Sequence, residues 1–212
     1  MDALENAARY TLSRTVILRH LSISKTLTIS TSHNKTLAPV FKLLGHLWLF
    51  EIDAPLIRRL RAPEVRGLLE SLGDFTLPDD NAESLEELAI DFCQLLVGPK
   101  GHLSPIQSVW EQDQFQGDAA TSMRRFTELL PGYEAPGAIL DHVGVQLDYA
   151  SKLMEQEEVS AVAQEILERF FNDHLGWTGP LFKAITAQAT TDLYRGLAKI
   201  TESLIETTNA TF

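Results

Sequence analysis

The 212-residue chain carries 29 acidic and 18 basic side chains, a formal net charge of -11 at pH 7, and 44% of its residues are hydrophobic. This length suits one domain with a sizeable core. No run of about 18 uncharged apolar residues occurs, which excludes a membrane span, and the acidic field argues against nucleic acid as a partner. Since no short apolar segment with a cleavage site opens the chain, we expect a cytoplasmic protein.

The charge is unevenly distributed along the chain. Residues 1–35 hold five of the 18 basic and two of the 29 acidic side chains, which leaves 13 basic and 27 acidic for residues 36–212. The first 35 residues are basic and rich in hydroxyls. We interpret them as an N-terminal extension: a targeting segment, a weakly packed flexible tail, or an upstream start outside the fold. The acidic remainder either serves solubility or speeds encounter with a basic peptide or protein.

Apolar residues at helical spacing predict the elements that follow. A central helix that is apolar around most of its circumference is indicated by Leu37, Phe41, Leu44 and Trp48. Asp53 caps a short helix over residues 54–60, Pro63 separates it from a helix over 64–72, and Gly73 closes the second.

The next helix has an apolar stripe and an acidic face. The stripe consists of Leu85, Leu88, Phe92 and Leu96, and the solvated face of Glu83, Glu86, Glu87 and Asp91. Gly98 and Pro99 end this helix, and its Cys93, the single cysteine of the chain, is expected to be a small buried side chain. Residues 100–110 follow as an irregular segment rich in apolar residues. This is typical of a loop that either packs against the protein or binds a ligand.

The C-terminal half is predicted to be helical as well. Asp118 is the N-cap of a helix with Met123, Phe126 and Leu130 on its stripe, and a helix over residues 139–155 buries Ile139, Val143, Leu147, Ala150 and Met154. A further helix carries Val159, Val162, Ile166 and Phe170 and ends near His174. Residues 177–180 then turn the chain into one last long helix with Leu193, Leu197, Ile200 and Leu204. With no convincing strand, the fold class is all-α: a single-domain bundle of six to eight helices.

Asp141 and His142 form an adjacent acid and imidazole pair in the first turn of their predicted helix. An enzyme could use them as a general acid/base unit, but adjacent helical residues point about 100° apart, and no strained turn marks a nucleophile nearby. Alternatively, Asp141 stabilises the helix start, with His142 half-buried beside it. A carboxylate is also the natural partner of an arginine.

Other chemistry is weakly supported. His142 and His174 lack a second ligand at helical spacing, and no glycine-rich phosphate-binding motif is present, so the sequence indicates neither a metal nor a nucleotide cofactor, and no catalytic residue. Among the tryptophans, Trp48 is expected in the core, whereas Trp110 and Trp177 are flanked by loop residues and are expected to line a cleft.

Five stretches in order resemble the TorD/DmsD/NarJ family of cytoplasmic molybdoenzyme chaperones, over about residues 36–206. They are LAPVFKLLGHLWLFEIDAPLIRRL, DFCQLLVGP, LSPIQSVWEQD, ILDHVGVQLDYASKL, and NDHLGWTGPLF followed by LYRGLAKIT. Phe92 is similar to the family's tyrosine or tryptophan in the second stretch, and Ser108 and Trp110 match its Ser-x-Tyr/Trp. The sequence departs from the family at Ile139, which replaces a proline before Asp-His, and at Gln146, where an acid is frequent.

The resemblance implies an all-α, non-enzymatic chaperone that binds the twin-arginine signal peptide of a molybdoenzyme catalytic subunit, or its apo form, before export. Asp141 would accept an arginine, and apolar residues would hold the hydrophobic stretch of the peptide. The peptide site would consist of Phe92, Leu95, Leu96, Pro105, Ser108, Trp110, Asp141 and His142. The alternative is an assembly factor that binds the mature part of a redox enzyme. A homodimer and binding of guanine nucleotide or molybdenum cofactor stay open.

Overall fold

The computed structural model describes residues 31–73, 76–98, 101–156 and 161–212, and within these ranges the chain is helical. Ten α-helices and one π-helical turn follow one another: α1 Thr31–Leu49, α2 Ala54–Leu60, α3 Pro63–Leu72, α4 Ala82–Phe92, the π turn Cys93–Val97, α5 Gln107–Gln112, α6 Asp118–Glu128, α7 Val143–Met154, α8 Ala161–His174, α9 Thr178–Gln188 and α10 Asp192–Asn209. One hydrophobic cluster contains residues from α1 to α10. The all-α single-domain class is confirmed, and the helices outnumber the expected six to eight because short elements such as α2 and α5 count separately.

The N-terminal extension predicted for residues 1–35 falls mostly outside the described part of the chain, so it stays a prediction. The helix α1 begins at Thr31, five residues before the boundary expected from the sequence.

The centre of the fold is the antiparallel pair α1 and α7, whose backbones approach closely at two glycines. A Cβ added to Gly45 would lie 2.7 Å from the carbonyl oxygen of Gly144, so a side chain there would push the helices apart. The predicted stripe of α1 is buried throughout. Trp48 lies in the core as expected, and its indole N–H donates to Thr201 Oγ1 on α10 at 3.0 Å.

The predicted boundaries of α2 are confirmed, and α3 ends where expected but begins at Pro63, one residue earlier. Asp53 Oδ1 accepts the N–H of Leu56 at 2.8 Å, which is the N-cap bond that its position suggested. Pro63 is the first residue of α3, where its missing N–H has no helical partner to lose, and Gly73 ends that helix.

Two expectations for α4 and the following π turn are wrong, and helical spacing explains both. Asp91 lies three residues after the buried Leu88 and is itself only 1% exposed, so it does not belong to the solvated face. Its carboxylate accepts the N–H groups of Thr190 and Thr191 at 3.1 and 2.8 Å and the Thr191 hydroxyl at 2.6 Å. Cys93 lies three residues after the exposed Ile90 and is exposed with it.

The helix starts in the middle of the chain are displaced from their predicted positions. Gly117, not Asp118, is the N-cap of α6. The helix α7 begins at Val143, four residues later than expected, so Asp141 and His142 precede the helix instead of occupying its first turn.

The last third of the chain differs from the sequence prediction in two further respects. Val162, placed on the buried stripe of α8, is 63% exposed, and Val159 lies outside the described residues. The single long C-terminal helix is two helices, α9 and α10, separated at residues 189–191. The break is held by Asp91, whose carboxylate satisfies the amides of Thr190 and Thr191 that a continuous helix would use internally.

Candidate binding site

The candidate site forms where residues 105–110, called the loop below, are hydrogen-bonded to the segment before α7. The expectation of an irregular segment over residues 100–110 is wrong for residues 107–110, which form the first part of α5. An antiparallel bridge joins Ile106 to His142. The N–H of Gln107 donates to the carbonyl of Asp141 at 3.0 Å, and the N–H of Val143 donates to the carbonyl of Pro105 at 2.8 Å. The apolar loop is therefore docked against the chain in this structure, which was one of the two alternatives that its composition left open.

Asp141 is the most deeply buried acid of this joint, with 0% of its surface exposed. Its Oδ2 accepts both the N–H of Ser108 at 3.1 Å and the Ser108 hydroxyl at 2.5 Å. The other carboxylate oxygen, Oδ1, is buried without a hydrogen-bond partner. A buried carboxylate oxygen that lacks a donor is energetically unfavourable, so this atom can accept a donor from a ligand at little further desolvation cost.

His142 is half-buried and is the N-cap of α7. The N–H of Gly144 donates to its Nδ1 at 3.0 Å, so the neutral ring carries its proton on Nε2. Burial lowers the pKa of His142 to about 4, and the nearby charge of Asp141 only partly opposes this effect. His142 is therefore neutral at physiological pH, as its acceptor role requires. The hydrogen bonds of the Asp141 carboxylate go to Ser108, whereas His142 Nδ1 accepts from Gly144, so each side chain serves the backbone around it.

A buried network of amides and an imidazole lies directly behind the loop. Gln107 Oε1 accepts from Gln146 Nε2 at 2.7 Å and lies 3.0 Å from His174 Nδ1. The amide nitrogen of Gln107 donates to the carbonyl of Asp173 at 2.7 Å. Gln146 Oε1 in turn accepts the indole N–H of Trp177 at 3.0 Å. The side-chain amide of Gln146 both donates and accepts here, whereas an ionised carboxylate can only accept. This network therefore suits a glutamine at the position where the family frequently has an acid.

The hydrogen bonds of His174 determine its tautomer. Since Gln107 Oε1 can only accept, Nδ1 of His174 carries the proton, and Nε2 accepts the hydroxyl of Ser122 at 3.0 Å. Burial lowers the pKa of His174 to about 4, against the opposing charges of Asp173 and Asp141. Ser122 lies in the interior of α6, where its own N–H belongs to the helix and supplies no oxyanion donor. The arrangement therefore positions the loop and does not mark a nucleophile.

Trp110 forms the exposed part of the site. It is 37% exposed, whereas Trp177 beneath it is 9% exposed, and their ring centroids lie 6.4 Å apart. The indole N–H of Trp110 donates to the carbonyl of Ser104. Both tryptophans were expected to line a cleft, but Trp177 is buried, and only Trp110 is exposed enough to contact a cation or an apolar side chain.

The eight residues predicted for the peptide site fall into two groups. Pro105, Ser108, Trp110, Asp141 and His142 meet at the bridge between the loop and α7. Phe92 is half-buried against Tyr194, with ring centroids 6.0 Å apart, and Leu95 and Leu96 are 2% and 5% exposed. The two groups are connected through Leu103, whose N–H donates to the carbonyl of Leu95 at 2.6 Å. An open apolar groove at these leucines would require the loop to move.

The polar residues that support the loop were not predicted as such from the sequence. Gln146 lies three residues after Val143, on the buried side of α7, so its spacing was a signal for a buried amide. Asp173 and His174 are a second adjacent acid and imidazole pair, of which only His174 was considered from the sequence, as a metal ligand. Gln107 donates locally to Glu111, but its partners in the buried network lie 39 to 67 residues away and leave no local signal.

Among the described residues, no group of three or more His, Cys, Asp or Glu side chains could hold a metal ion. Likewise, none of the helices in the described ranges combines the length and the apolar character that crossing a membrane requires.

Comparison with known proteins places this site in a matched region. The family described as nitrate reductase delta subunit matches residues 59–183, which include Ser108, Asp141 and His174. The chaperone protein YcdY of Escherichia coli strain K12 is 27% identical over 124 residues, or 57% of this chain and 62% of that protein. The chain thus spans about three fifths of the length of the curated relative it matches. No solved structure matches the chain.

Proposed function

The chain belongs to the nitrate reductase delta subunit family, which matches more than half of it, and we propose that it is a maturation chaperone, not an enzyme, for a molybdenum-containing oxidoreductase. Its ligand is the twin-arginine signal peptide of the catalytic subunit, bound before export. The relative YcdY is itself named a chaperone protein. Action in the cytoplasm, where such a precursor is made, is part of the same proposal.

The single observation that carries the peptide proposal is the unpartnered Oδ1 of Asp141. A guanidinium group presents several N–H donors in a planar fork and can engage both oxygens of one carboxylate. An arginine side chain would supply the donor that Oδ1 lacks and a positive charge for the buried carboxylate. The residue type and its environment thus fit an arginine better than a neutral ligand.

Access to Asp141 requires the loop to open, because Ser108 covers the carboxylate with two hydrogen bonds. The bridge between Ile106 and His142 consists of two backbone hydrogen bonds, at 3.0 and 2.8 Å. A peptide that replaces these bonds with its own backbone and an arginine would exchange one set of contacts for another. Lifting the loop would also uncover Pro105 and the leucines behind it, which is how an apolar groove for the hydrophobic stretch would arise.

The charge of the protein supports encounter with such a peptide. Residues 36–212 hold 27 acidic against 13 basic side chains, so a basic peptide is attracted over distances of about one Debye length, roughly 8 Å at physiological salt. Trp110, which is 37% exposed and close to the bridge, can stack on a guanidinium or contact an apolar residue of the peptide.

The test replaces Asp141 with Asn, which preserves the shape of the side chain and removes its charge. We expect a signal peptide with an Arg-Arg pair to lose at least about 10-fold in affinity, because a charge-assisted bidentate contact becomes a neutral one. Asp79→Asn is the matched control: it removes the same charge from an acid whose side chain is 73% exposed and pairs with Arg61. Equal affinities for Asp141→Asn and the wild type in calorimetric titration would remove Asp141 from the site.

The alternative candidate is an assembly factor that binds the mature part of the enzyme subunit. The observation that favours it is the burial of Asp141 and of the leucines, which are covered in this structure. A leaderless subunit that binds as well as the full precursor in a pull-down would support this alternative over the signal-peptide proposal.

A further inference from the structure

One exposed stripe on α4 and the π turn is separate from the candidate site. We define the acidic–apolar stripe by Glu83, Glu86, Glu87, Ile90, Cys93 and Val97, which recur at three- and four-residue intervals on the outer face. All six are exposed; Ile90 is 48% and Val97 is 62% exposed. The first half of the stripe is thus acidic and the second half apolar. A single exposed apolar residue is ordinary on a protein surface, but Ile90 and Val97 belong to one stripe.

The acids of the stripe lack cationic partners among the described residues. The neighbouring acids Asp79 and Asp80 form ion pairs with Arg61 and Arg58, but no such ion pair reaches Glu83, Glu86 or Glu87 in the described part of the chain. Three adjacent like charges repel one another, so a cation placed here would relieve that repulsion as well as gain attraction.

A cavity of 460 Å³ adjoins the stripe. It is bounded by Glu87 and Ile90 on α4 and by Thr190 and Thr191 at the break between α9 and α10. The volume is sufficient for a long side chain, and its wall combines a carboxylate, hydroxyls and an apolar surface. A lysine or arginine side chain, with an apolar stem and a charged head, has the matching chemistry.

The chain itself contains a segment of complementary chemistry. Residues 6–30 carry four cations, Arg9, Arg14, Arg19 and Lys25, and no acidic residue. Apolar residues stand between these cations, for example Val16, Ile17 and Leu18 between the second and third. The segment can therefore supply both the positive charge that the acidic half lacks and the apolar side chains that would cover Ile90 and Val97.

We propose that residues 6–30 of this chain dock intramolecularly on the acidic–apolar stripe. The segment ends one residue before α1 begins, at Thr31. Twenty-five residues can span up to about 80 Å when extended, far more than the radius of gyration of roughly 17 Å expected for a domain of this size. A tethered segment also has an effective concentration of about millimolar, so a weak intrinsic affinity is enough to keep it bound.

The exposed Cys93, the single cysteine of the chain, provides the probe at the middle of the stripe. The full-length protein is labelled there with a maleimide that carries a photoactivated crosslinker, irradiated at low concentration and analysed by peptide mass spectrometry. We expect crosslinks from Cys93 to peptides within residues 6–30 in material of monomer mass. Crosslinks only to other segments, crosslinks between two copies, or none would each overturn the proposal.

A matched pair of charge reversals tests whether the contact depends on these cations. The first variant carries Arg9→Glu, Arg14→Glu and Arg19→Glu in the segment. The control changes net charge equally at exposed positions of α6 and α10: Arg124→Glu, Arg125→Glu and Lys199→Glu. We expect only the first variant to lose the crosslink and to raise the rate of reaction of Cys93 with a soluble disulfide reagent by at least about fivefold. Equal behaviour of the two variants would contradict docking by charge.

The apolar half has its own test. Ile90→Ser with Val97→Ser should reduce the crosslinking yield at least twofold, whereas the control Leu129→Ser with Val162→Ser, at positions 52% and 63% exposed, should leave it unchanged. No reduction by Ile90→Ser with Val97→Ser would exclude the apolar half from the contact. These readouts do not involve a signal peptide, so their outcome is independent of the function proposed above.

Discussion

Substitution of Ser108 by Ala tests the contact on which the closed site depends. The Ser108 hydroxyl donates to Asp141 Oδ2 at 2.5 Å, and both residues are 0% exposed. A hydrogen bond to a charged group contributes about 1.5–3 kcal/mol, and its loss leaves a buried carboxylate with one donor in place of two. For a domain of about 200 residues this corresponds to a fall of roughly 3–12 °C in Tm.

Ser151 supplies the matched control on the neighbouring helix α7. It is also 0% exposed, but its hydroxyl has no hydrogen-bond partner. Ser151→Ala removes an unsatisfied buried hydroxyl and should change the free energy of unfolding by no more than about 0.5 kcal/mol, or raise it. Urea unfolding followed by circular dichroism compares the two variants directly. Equal stability of Ser108→Ala and Ser151→Ala would show that the Ser108 hydroxyl contributes nothing to holding Asp141 and the loop together.

Two further predictions concern the helix pair and the buried imidazole. Gly45→Ala should lower Tm by several degrees, because its Cβ would lie 2.7 Å from a backbone oxygen of α7, whereas Gly67→Ala in α3, where no atom lies within 4 Å, should stabilise the protein by about 0.5–1 kcal/mol; a destabilised Gly67→Ala would contradict this. His174 has a folded pKa of about 4 against 6.5 for the free side chain, so the unfolded state binds its proton first as pH falls. Its contribution to stability is intact above pH 6.5 and declines by about 1.3 kcal/mol between pH 7.5 and 5.5. Urea unfolding at these two pH values should show a larger loss of unfolding free energy with falling pH in the wild type than in His174→Gln. An identical pH dependence of the two proteins would show that the imidazole is not shielded.

The elements that the sequence predicted correctly are those whose determinants are local. The burial of α1 follows from apolar residues at 3.6-residue spacing, and the start of α2 follows from Asp53, which caps an amide three residues away. Neither inference needs knowledge of the rest of the fold.

The errors occur where a residue is controlled by a distant partner. Asp91 was assigned to an acidic surface because its neighbours in sequence are acids, yet its partners Thr190 and Thr191 lie 99 and 100 residues away. The same residues break the C-terminal helix. Thr191 carried a local signal in hindsight, since a Thr followed by Asp192 is typical of a helix start, and its hydroxyl accepts from Tyr194 N–H.

In the candidate site, some features follow from the local sequence and others depend on distant contacts. Its sequence motifs identified Ser108 and Asp141, which the structure joins by two hydrogen bonds. Helical spacing wrongly placed Asp141 and His142 inside α7, because His142 is the extended N-cap of that helix and is bridged to Ile106, with Asp141 before it. The roles of these residues in peptide binding stay a prediction.

Calorimetric titration of the full-length protein with a twin-arginine signal peptide, and with the same peptide carrying Lys-Lys, at two salt concentrations, tests the central claim most directly. Lysine keeps the charge but loses the planar fork that suits a carboxylate. The proposed function predicts that the Arg-Arg peptide binds with a Kd of about micromolar or tighter, that Lys-Lys weakens it, and that added salt weakens both. Absence of binding to either peptide, with the protein folded, would contradict the proposal and direct attention to the mature enzyme subunit.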